Sequence, residues 1–208
     1  MMLRNLIERD EGMSLTELLV TSSLLVVVLA TSWMVLNTMT RAANATAARQ
    51  IAEDEARTAV TLTSRDIRQA VEIVDAGGAF VRAEPRDCWF YADVDADGVP
   101  ELVKYVIVGR ELKRQIIETS ATPPDSPADF TSAEPTKSLA QSIDASWTTA
   151  MFSYWSTGTV PIAKNTSTQD DIASVEIRFV TKAKQGQETA VADENTWVKI
   201  RSLFSNLD

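Results

Sequence analysis

The chain has 208 residues, enough for one domain with an appendage, and a formal net charge of -9 at pH 7. The acidic balance argues against a nucleic-acid partner, because nucleic acid selects basic surfaces. Histidine is absent, which excludes the commonest general base, the Ser-His-Asp and Cys-His pairs and most zinc sites. An enzyme that uses carboxylates alone stays possible, but no paired-carboxylate site is visible in the sequence, so we expect no enzymatic activity and no catalytic residue.

An uncharged apolar run follows a short charged segment at the N-terminus. The run from Leu18 to Leu36 has 19 residues without a charge, close to the ~20 that a membrane-spanning helix needs. Arg4 and Arg9 precede it, and their positive charge would hold that segment in the cytoplasm, with the bulk of the chain outside. Glu17 stands at the leading edge of the run. A lone carboxylate at membrane depth costs roughly 2.5 kcal/mol or more, so it needs a partner or a function.

Three interpretations fit this N-terminus. A secretory signal peptide would be followed by a cleavage site of small residues, and "LATSWM" offers only a poor one. A plain membrane anchor fits the length of the run but leaves Glu17 unexplained. The third interpretation places a cleavage before the run, after Gly12, which would make Met13 the new N-terminus and Glu17 the fifth residue.

The stretch "GMSLTELLV" resembles the class III signal of type IV prepilins and pseudopilins through Gly12, the hydrophobic Met13 and the glutamate Glu17. The resemblance implies that a prepilin peptidase removes residues 1–12 as a leader and methylates the new amine of Met13. It also implies that residues 13–40 rest in the inner membrane and later enter a filament core. There, Glu17 would pair with the N-terminal amine of a neighbouring subunit. Met13 departs from the commoner phenylalanine, a change that the family tolerates.

The apolar run continues into an amphipathic segment, residues 41–76. Its apolar residues recur at three- and four-residue steps with acids and arginines between them, which is helical spacing. No glycine or proline interrupts residues 13–76, so the sequence predicts one helix from about Ser14 to Val74. The "AGG" at Ala76–Gly78 would end it, and a bend is most favoured at Ala42–Ala48.

Residues 77–208 change to a β pattern. Short strands are predicted at "AFVRAE", "CWFYADV", "AMFSYWS", "ASVEIRFVTK" and "NTWVKIRSLF", and "PELVKYVIVGRELKRQII" predicts a hairpin that turns at Gly109–Arg110. Residues 119–138 hold four prolines and predict a mobile loop, and "AKQGQETAVADE" predicts a polar connection. The expected fold is α+β: a long N-terminal helix, with a membrane or filament half and an amphipathic half, packed on an antiparallel β-sheet head.

This order of elements resembles the larger minor pilins of the PilW type and the J-type minor pseudopilin of type II secretion, through "RDIRQAVEI", "YVIVGRELKRQI", "FSYW" and "WVKIRSL". The resemblance implies a pilin-like fold and a structural subunit that initiates or caps a type IV pilus or a type II secretion-like filament. Its partners would be other minor and major pilins or pseudopilins, the prepilin peptidase and the inner membrane. Its final location would be an extracellular or periplasmic filament.

The stretch "DVDADGVPE" is the one candidate metal site. Asp93, Asp95 and Asp97 alternate before a glycine, which resembles the start of a calcium loop, and Glu101 would be a further ligand. An EF-hand would need a glutamate at its twelfth position, where this chain has Lys104, and the flanks are strands rather than helices. A solvated turn is the alternative, because Asp and Gly are usual turn residues. Calcium is the only candidate cofactor.

Three further groups of side chains have a structural and a functional interpretation. Cys88, the single cysteine, predicts a half-buried thiol beside a strand rather than a nucleophile, because no histidine can activate it. The aromatic residues of the head are expected in its core rather than in an exposed adhesive patch: Trp89, Phe90, Tyr91, Tyr154 and Trp155. A small basic cluster is expected on an exposed hairpin face rather than at a DNA site: Arg110, Lys113 and Arg114.

Two other functions remain open. A calcium-binding or adhesive module on a plain membrane anchor predicts an intact N-terminus and a function that survives Glu17→Ala. A DNA-uptake pilus subunit predicts lost transformation on deletion and a basic exposed face, for which the sequence gives little support.

Overall fold

A computed structural model describes residues 14–73, 78–119, 130–144, 150–156 and 172–200. One long helix, α1 (Leu15–Arg68), begins the described chain. The strands that follow are β1 (Phe80–Glu84), β2 (Asp87–Ala92), β3 (Glu101–Val108), β4 (Glu111–Thr119), β5 (Phe130–Ala133), β6 (Lys137–Ala140), β7 (Phe152–Trp155), β8 (Ser174–Gln185) and β9 (Glu188–Lys199). The expected α+β class, with a long apolar N-terminal helix and antiparallel sheets, is confirmed.

The strands form two antiparallel sheets. The larger has the order β1-β2-β3-β4-β5, with β6 also paired to β4, and the smaller has the order β7-β8-β9. The chain divides into two compact units, Met1–Asn44 and Ala45–Asp208, and the division falls within the region where the sequence favoured a bend.

Small residues line one face of the part of α1 that belongs to the second unit, where they are buried. Ala48, Ala52, Ala56 and Ala59 recur at three- and four-residue steps and are fully buried. Because these side chains are small, the strand backbones approach closely. The hydroxyl of Thr181 on β8 donates a 2.7 Å hydrogen bond to the carbonyl of Ala52.

Helix α1 ends at Arg68, about six residues before the expected end at Val74, so that prediction was wrong. The N–H groups of Gln69 and Ala70 bond three residues back, which tightens the last turn. The next residues then pair with β2: Ala70 bridges Ala92, and the N–H of Val71 donates to the carbonyl of Tyr91 at 2.9 Å. Pairing with β2 therefore replaces the helical hydrogen bonds after Arg68. Val74 and Ala76 lie outside the described residues.

Most predicted strands are present, and the hairpin of β3 and β4 turns at Gly109–Arg110 as expected. Two connections were predicted wrongly. Part of the expected loop at residues 119–138 forms β5 and the start of β6, which both pair with β4. The expected polar connection instead forms the end of β8, a turn at Gly186 and the beginning of β9. Gly186 has a φ of 61°, a left-handed conformation that suits glycine. Ala192 on β9 is buried, whereas its neighbours Val191 and Asp193 are exposed.

The aromatic residues follow strand alternation. Phe90 and Tyr154 are buried in the main core, and Tyr91 is buried in a second cluster with Phe130, as expected. Trp89 and Trp155 are only half-buried. Trp89 lies on the same face of β2 as Tyr91 and packs against the edge of the second cluster. The core prediction was therefore only partly right for these two residues.

Cys88 is more deeply buried than the sequence suggested. Its side chain is fully buried, and this burial raises the pKa of its thiol to about 12. A thiol with this pKa holds almost no thiolate near neutral pH, which agrees with the expected structural role.

Candidate functional site

The first candidate site is the start of helix α1. Glu17 lies in its first turn and is exposed, with its charge at the favourable end of the helix dipole. The Ser14 hydroxyl accepts a 3.3 Å hydrogen bond from the N–H of Thr16, which begins the helix. Within the described residues, no ion pair involves Glu17. Gly12 and Met13, the predicted cleavage and methylation positions, lie outside the described residues.

The surface that follows Glu17 is apolar and exposed. Each large hydrophobic residue of the run is more than half exposed: Leu18, Leu19, Val20, Leu24, Leu25, Val26, Val27, Val28, Leu29, Trp33, Met34, Val35 and Leu36. A patch of this extent in a folded protein marks a membrane or protein contact. By length and composition α1 is able to cross a membrane.

The hydroxyl groups of this segment bond within the helix itself. Thr21 donates to the carbonyl of Glu17 at 2.9 Å, and Ser23 donates to that of Val20 at 2.8 Å. The same pattern of bonding to a carbonyl three or four residues back recurs along the segment, at Ser22, Thr31, Thr38 and Thr40. These hydroxyls therefore need no outside partner when the segment is surrounded by lipid or protein.

The second candidate site is the acidic loop, residues 93–100, which joins β2 to β3, together with Glu101, the first residue of β3. One carboxylate oxygen from each of Asp93, Asp95, Asp97 and Glu101 lies within 4.8 Å of one from every other. The structure therefore brings together all four of the residues that the sequence proposed as calcium ligands.

Hydrogen bonds from backbone N–H groups to these carboxylates stabilise the fold of the acidic loop. The N–H of Gly98 donates to Asp93 Oδ2 at 3.1 Å, and the N–H of Val94 donates to Glu101 Oε2 at 2.8 Å. Asp95 and Asp97 each accept a bond from the N–H two residues further on. The turn also requires left-handed backbone at Gly98, with a φ of 88°. The alternating spacing brings a carboxylate oxygen of each of Asp93, Asp95 and Asp97 within 4.8 Å of the others.

Burial and neighbouring acids raise the pKa of two carboxyls at the acidic loop. Glu101 is only 2% exposed, and this burial raises the pKa of its carboxyl to about 7; the Val94 N–H opposes the shift, and the nearby acids Asp95, Glu118 and Asp93 add to it. Burial also raises the pKa of Glu118 on β4, with contributions from Glu134 and the loop acids. Among the described residues, the charged groups that shift the pKa of these two carboxyls are all acids.

One oxygen in the acidic loop is left without a partner. Asp93 Oδ1 is buried and accepts no hydrogen bond, although Oδ2 of the same carboxylate is bonded. Burying a carboxylate oxygen without a hydrogen bond or a cation is costly. The donor set is all oxygen, which suits a hard cation such as calcium and does not suit zinc.

Sequence reasoning missed a buried ionic contact at the end of α1. Asp66 is 3% exposed, and its Oδ2 accepts bonds from the Tyr105 hydroxyl and from Arg114 Nε. The expectation of an exposed basic hairpin face was therefore wrong for Arg114, whose side chain is 18% exposed. The missed signal was the position of Asp66 on the buried face of the helix, beside Thr63 and Ile67.

The other two members of the basic cluster are nearer the surface. Lys113 forms an exposed ion pair with Glu111, and Arg110 Nη2 donates to the carbonyl of Lys182 at 2.6 Å. The Arg110 bond joins the turn of the hairpin to β8 of the smaller sheet, so Arg110 has a structural contact there. Trp89, by contrast, is covered by cations: Lys104 Nζ lies 3.9 Å and Arg82 Cζ 5.4 Å from its ring centroid.

Comparison with known proteins adds no relative. No protein-family model matches the chain, and no curated protein matches it significantly.

Proposed function

We propose that this chain is a minor subunit of a type IV pilus-like or type II secretion-like filament, processed after Gly12 and anchored by helix α1. The observation that carries the proposal is the composition of this one helix. It begins with the exposed Glu17, continues through the exposed apolar run, and ends with residues buried against β-sheets. A subunit of such a filament needs a helix of this kind, because the same segment must rest in a membrane and later pack on other helices.

The length of the apolar run supports residence in a membrane before assembly. At 1.5 Å per residue, the 19 residues from Leu18 to Leu36 extend over roughly 28 Å, close to the ~30 Å hydrocarbon core of a bilayer. The remainder of the chain, which carries most of the charged residues, would lie on the outer side.

Glu17 supports assembly rather than plain anchoring. Its carboxylate lies at the edge of the apolar surface and has no ion-pair partner among the described residues. The amine of a processed Met13 on a neighbouring subunit would supply the missing positive charge. Opposite charges attract strongly in apolar surroundings, and an unpaired carboxylate there penalises a misplaced subunit. Glu17 would therefore set the register of docking.

Mass spectrometry of the N-terminal peptide tests the proposal. The peptide would be isolated from membranes and from sheared surface material of the native organism. We expect it to begin at N-methylated Met13 in both fractions, and Gly12→Val to leave the leader in place. A peptide that begins at Met1 or Met2 and occurs only in membranes would overturn the proposal and favour the anchored calcium-binding or adhesive module.

A further inference from the structure

We propose that the open edge of strand β9 is a docking site for one extended strand of a partner protein, in which apolar and basic side chains alternate. The edge belongs to the smaller sheet, within the second compact unit, and the proposal does not rest on processing of the N-terminus. It goes beyond the filament function, because it assigns one surface of the head to a partner of defined chemistry.

The outer edge of β9 is open along its whole length. β9 ends the sheet of order β7-β8-β9, and among the described residues no strand or backbone hydrogen bond occupies its other edge. Such an edge is a template for pairing with another chain, and proteins usually protect one with proline, a bulge, a short strand or charged side chains. β9 has 12 residues, no proline and an unbroken register with β8, so charged side chains are its only protection of this kind.

The hydrogen bonds of β8 show which residues of β9 direct backbone groups to the open edge. Arg178 and Lys182 on β8 donate their N–H groups to carbonyls on the side away from β9. Because backbone groups alternate between the two sides of a strand, the residues between them bond to β9. The N–H of Ile200, which donates to the carbonyl of Ala173, follows the same alternation. The register then assigns outward N–H and C=O groups to alternate residues of β9, among them Val191, Asp193, Asn195 and Trp197.

These outward-directed residues also carry exposed side chains, on the outer face of the sheet. Val191 is 56% and Trp197 51% exposed, and the Trp197 ring centroid lies 5.1 Å from that of Trp155 on β7. Asp193 between them forms an ion pair with Arg178, so its charge is balanced. An incoming strand would lay apolar side chains against Val191 and Trp197, and tryptophan is a common anchor of protein interfaces.

The charges of the sheet select the other row of side chains on the partner strand. Glu188 and Glu194 belong to the opposite row of β9, on the face that includes the buried Ala192, and neither forms an ion pair among the described residues. Basic side chains beside them would form cross-strand pairs of opposite charge. On the outer face, Lys182 is the register partner of Val191 and would repel a further cation. The partner strand should therefore be apolar on the outer row and basic on the other.

A second copy of β9 fits this edge less well than a basic partner. Its row that contains Glu188 and Glu194 holds two acids and no base, so antiparallel pairing of two copies would bring like charges onto one face. The whole chain also has a net charge of -9, which favours encounter with a basic partner over encounter with a copy of itself.

Binding of a defined peptide to the full-length protein in nonionic detergent micelles tests the proposal. The probe is a short fluorescein-labelled peptide that alternates valine with lysine, and its fluorescence anisotropy is measured as the protein is titrated. We expect saturable binding, because the edge supplies main-chain hydrogen bonds and the side chains fit both rows. A peptide that alternates valine with glutamate should bind about tenfold more weakly or worse. The valine–lysine peptide with alternate backbone nitrogens methylated should also lose about tenfold or more, because it cannot pair with the edge.

Two variants at one position separate pairing at the edge from other effects. Asn195→Pro removes an N–H that points away from β8, so the β8–β9 ladder keeps its bonds, whereas Asn195→Ala keeps that N–H. We expect the proline variant to bind the valine–lysine peptide about tenfold more weakly or worse, and the alanine variant to bind it like the unmodified protein. The methylated peptide examines the same pairing on the unmodified protein, whatever the stability of the proline variant.

Three results would overturn the proposal. They are no saturable binding of the valine–lysine peptide up to millimolar concentration, equal binding of the methylated peptide, and equal binding by a folded Asn195→Pro variant. Sedimentation in the same micelles gives the oligomeric state of the protein. A dimer that Asn195→Pro dissociates and Asn195→Ala does not would also overturn the proposal, since the occupant of the edge would then be a second copy.

Discussion

The hydroxyl of Tyr105 on β3 donates a 2.6 Å hydrogen bond to Asp66 Oδ2 in the last turn of helix α1. The same oxygen accepts a 2.7 Å bond from Nε of Arg114, the register partner of Tyr105 on β4. One buried carboxylate oxygen thus joins the end of the helix to two adjacent strands. Burial raises the pKa of the Tyr105 phenol well above its usual value, and the neighbouring Asp66 adds to the shift, so the phenol remains a donor.

Removing the Asp66 carboxylate should destabilise the β-sheet unit more than removing the Tyr105 hydroxyl that donates to it. Asp66→Ala leaves the Arg114 guanidinium and the Tyr105 hydroxyl unpaired in a buried place, and we expect it to lower the free energy of unfolding by about 3 kcal/mol or more. Tyr105→Phe removes one hydrogen bond and should cost about 1–2 kcal/mol. Urea unfolding followed by tryptophan fluorescence measures both. A smaller loss for Asp66→Ala than for Tyr105→Phe would show that this contact does not hold the helix end.

The alanine face of α1 should not tolerate larger side chains. Ala56 is fully buried in a cluster with Ala52, Ala183 and Ala192. Ala56→Leu adds three carbon atoms where strand and helix are in contact, so we expect a loss of about 1–3 kcal/mol or more in the free energy of unfolding. Ala45→Leu, at an exposed position of the same helix, should change it by less than about 0.5 kcal/mol. Similar losses for both variants would refute the close packing.

Without calcium, the stability of the head should fall as pH rises toward neutrality. Burial raises the pKa of Glu101 from 4.5 to about 7. Because the folded value is the higher one, the stability this group contributes is complete below pH 4.5 and is lost as pH rises through about 7. We expect a decrease on the order of 2–3 kcal/mol in chelator-containing buffer.

The matched variant for this pH dependence is Glu101→Gln, which cannot ionise. Its free energy of unfolding should depend much less on pH between 5 and 8 than that of the unmodified protein. Burial raises the pKa of Asp87 and of Glu118 as well, so a shallow slope in the same direction should remain. Parallel pH profiles for the two proteins would show that Glu101 is not the group responsible.

Cys88 should be inert in the folded protein and reactive when the protein unfolds. It is fully buried, and burial raises the pKa of its thiol to about 12. We expect no labelling by iodoacetamide at pH 8 in the folded protein and complete labelling in urea. Because Cys88 is the single cysteine, the labelled fraction reports unfolding directly. Rapid labelling without denaturant would mean that β2 opens from the core.

Glu17→Ala should affect assembly and leave the head intact. Since Glu17 lies in the first unit and has no ion-pair partner among the described residues, its removal should not change the urea unfolding of the head. On the proposed function, the variant should be processed normally yet be depleted from the sheared surface fraction. Glu53→Ala, an exposed acid further along the helix, is the control. Equal recovery of both variants from that fraction would contradict a docking role for Glu17.

The sequence predicted the elements whose signals are local. The long helix, the hairpin at Gly109–Arg110 and the proximity of the acidic-loop carboxylates all follow from spacing within one segment. The end of α1 does not, because Ala70 and Val71 leave the helix to pair with β2, a competitor about 20 residues away in the chain. The burial of Arg114 likewise depends on Asp66, which is 48 residues distant in sequence.

The serine and threonine side chains of helix α1 affect how easily its apolar segment could move from lipid into contact with other helices. Seven of these hydroxyls, at Thr21, Ser22, Ser23, Thr31, Thr38, Thr40 and Ser64, donate to a carbonyl three or four residues back in the same helix. A segment that leaves one apolar environment for another therefore breaks none of these bonds on the way. The free energy of moving this segment between two apolar surroundings then depends mainly on the exchange of hydrocarbon contacts. The carboxylate of Glu17 adds its own term. The uncharged run from Leu18 to Leu36 would therefore make similar contacts in lipid and among other apolar helices, and on the proposed function Glu17 is the charged group that distinguishes the two surroundings.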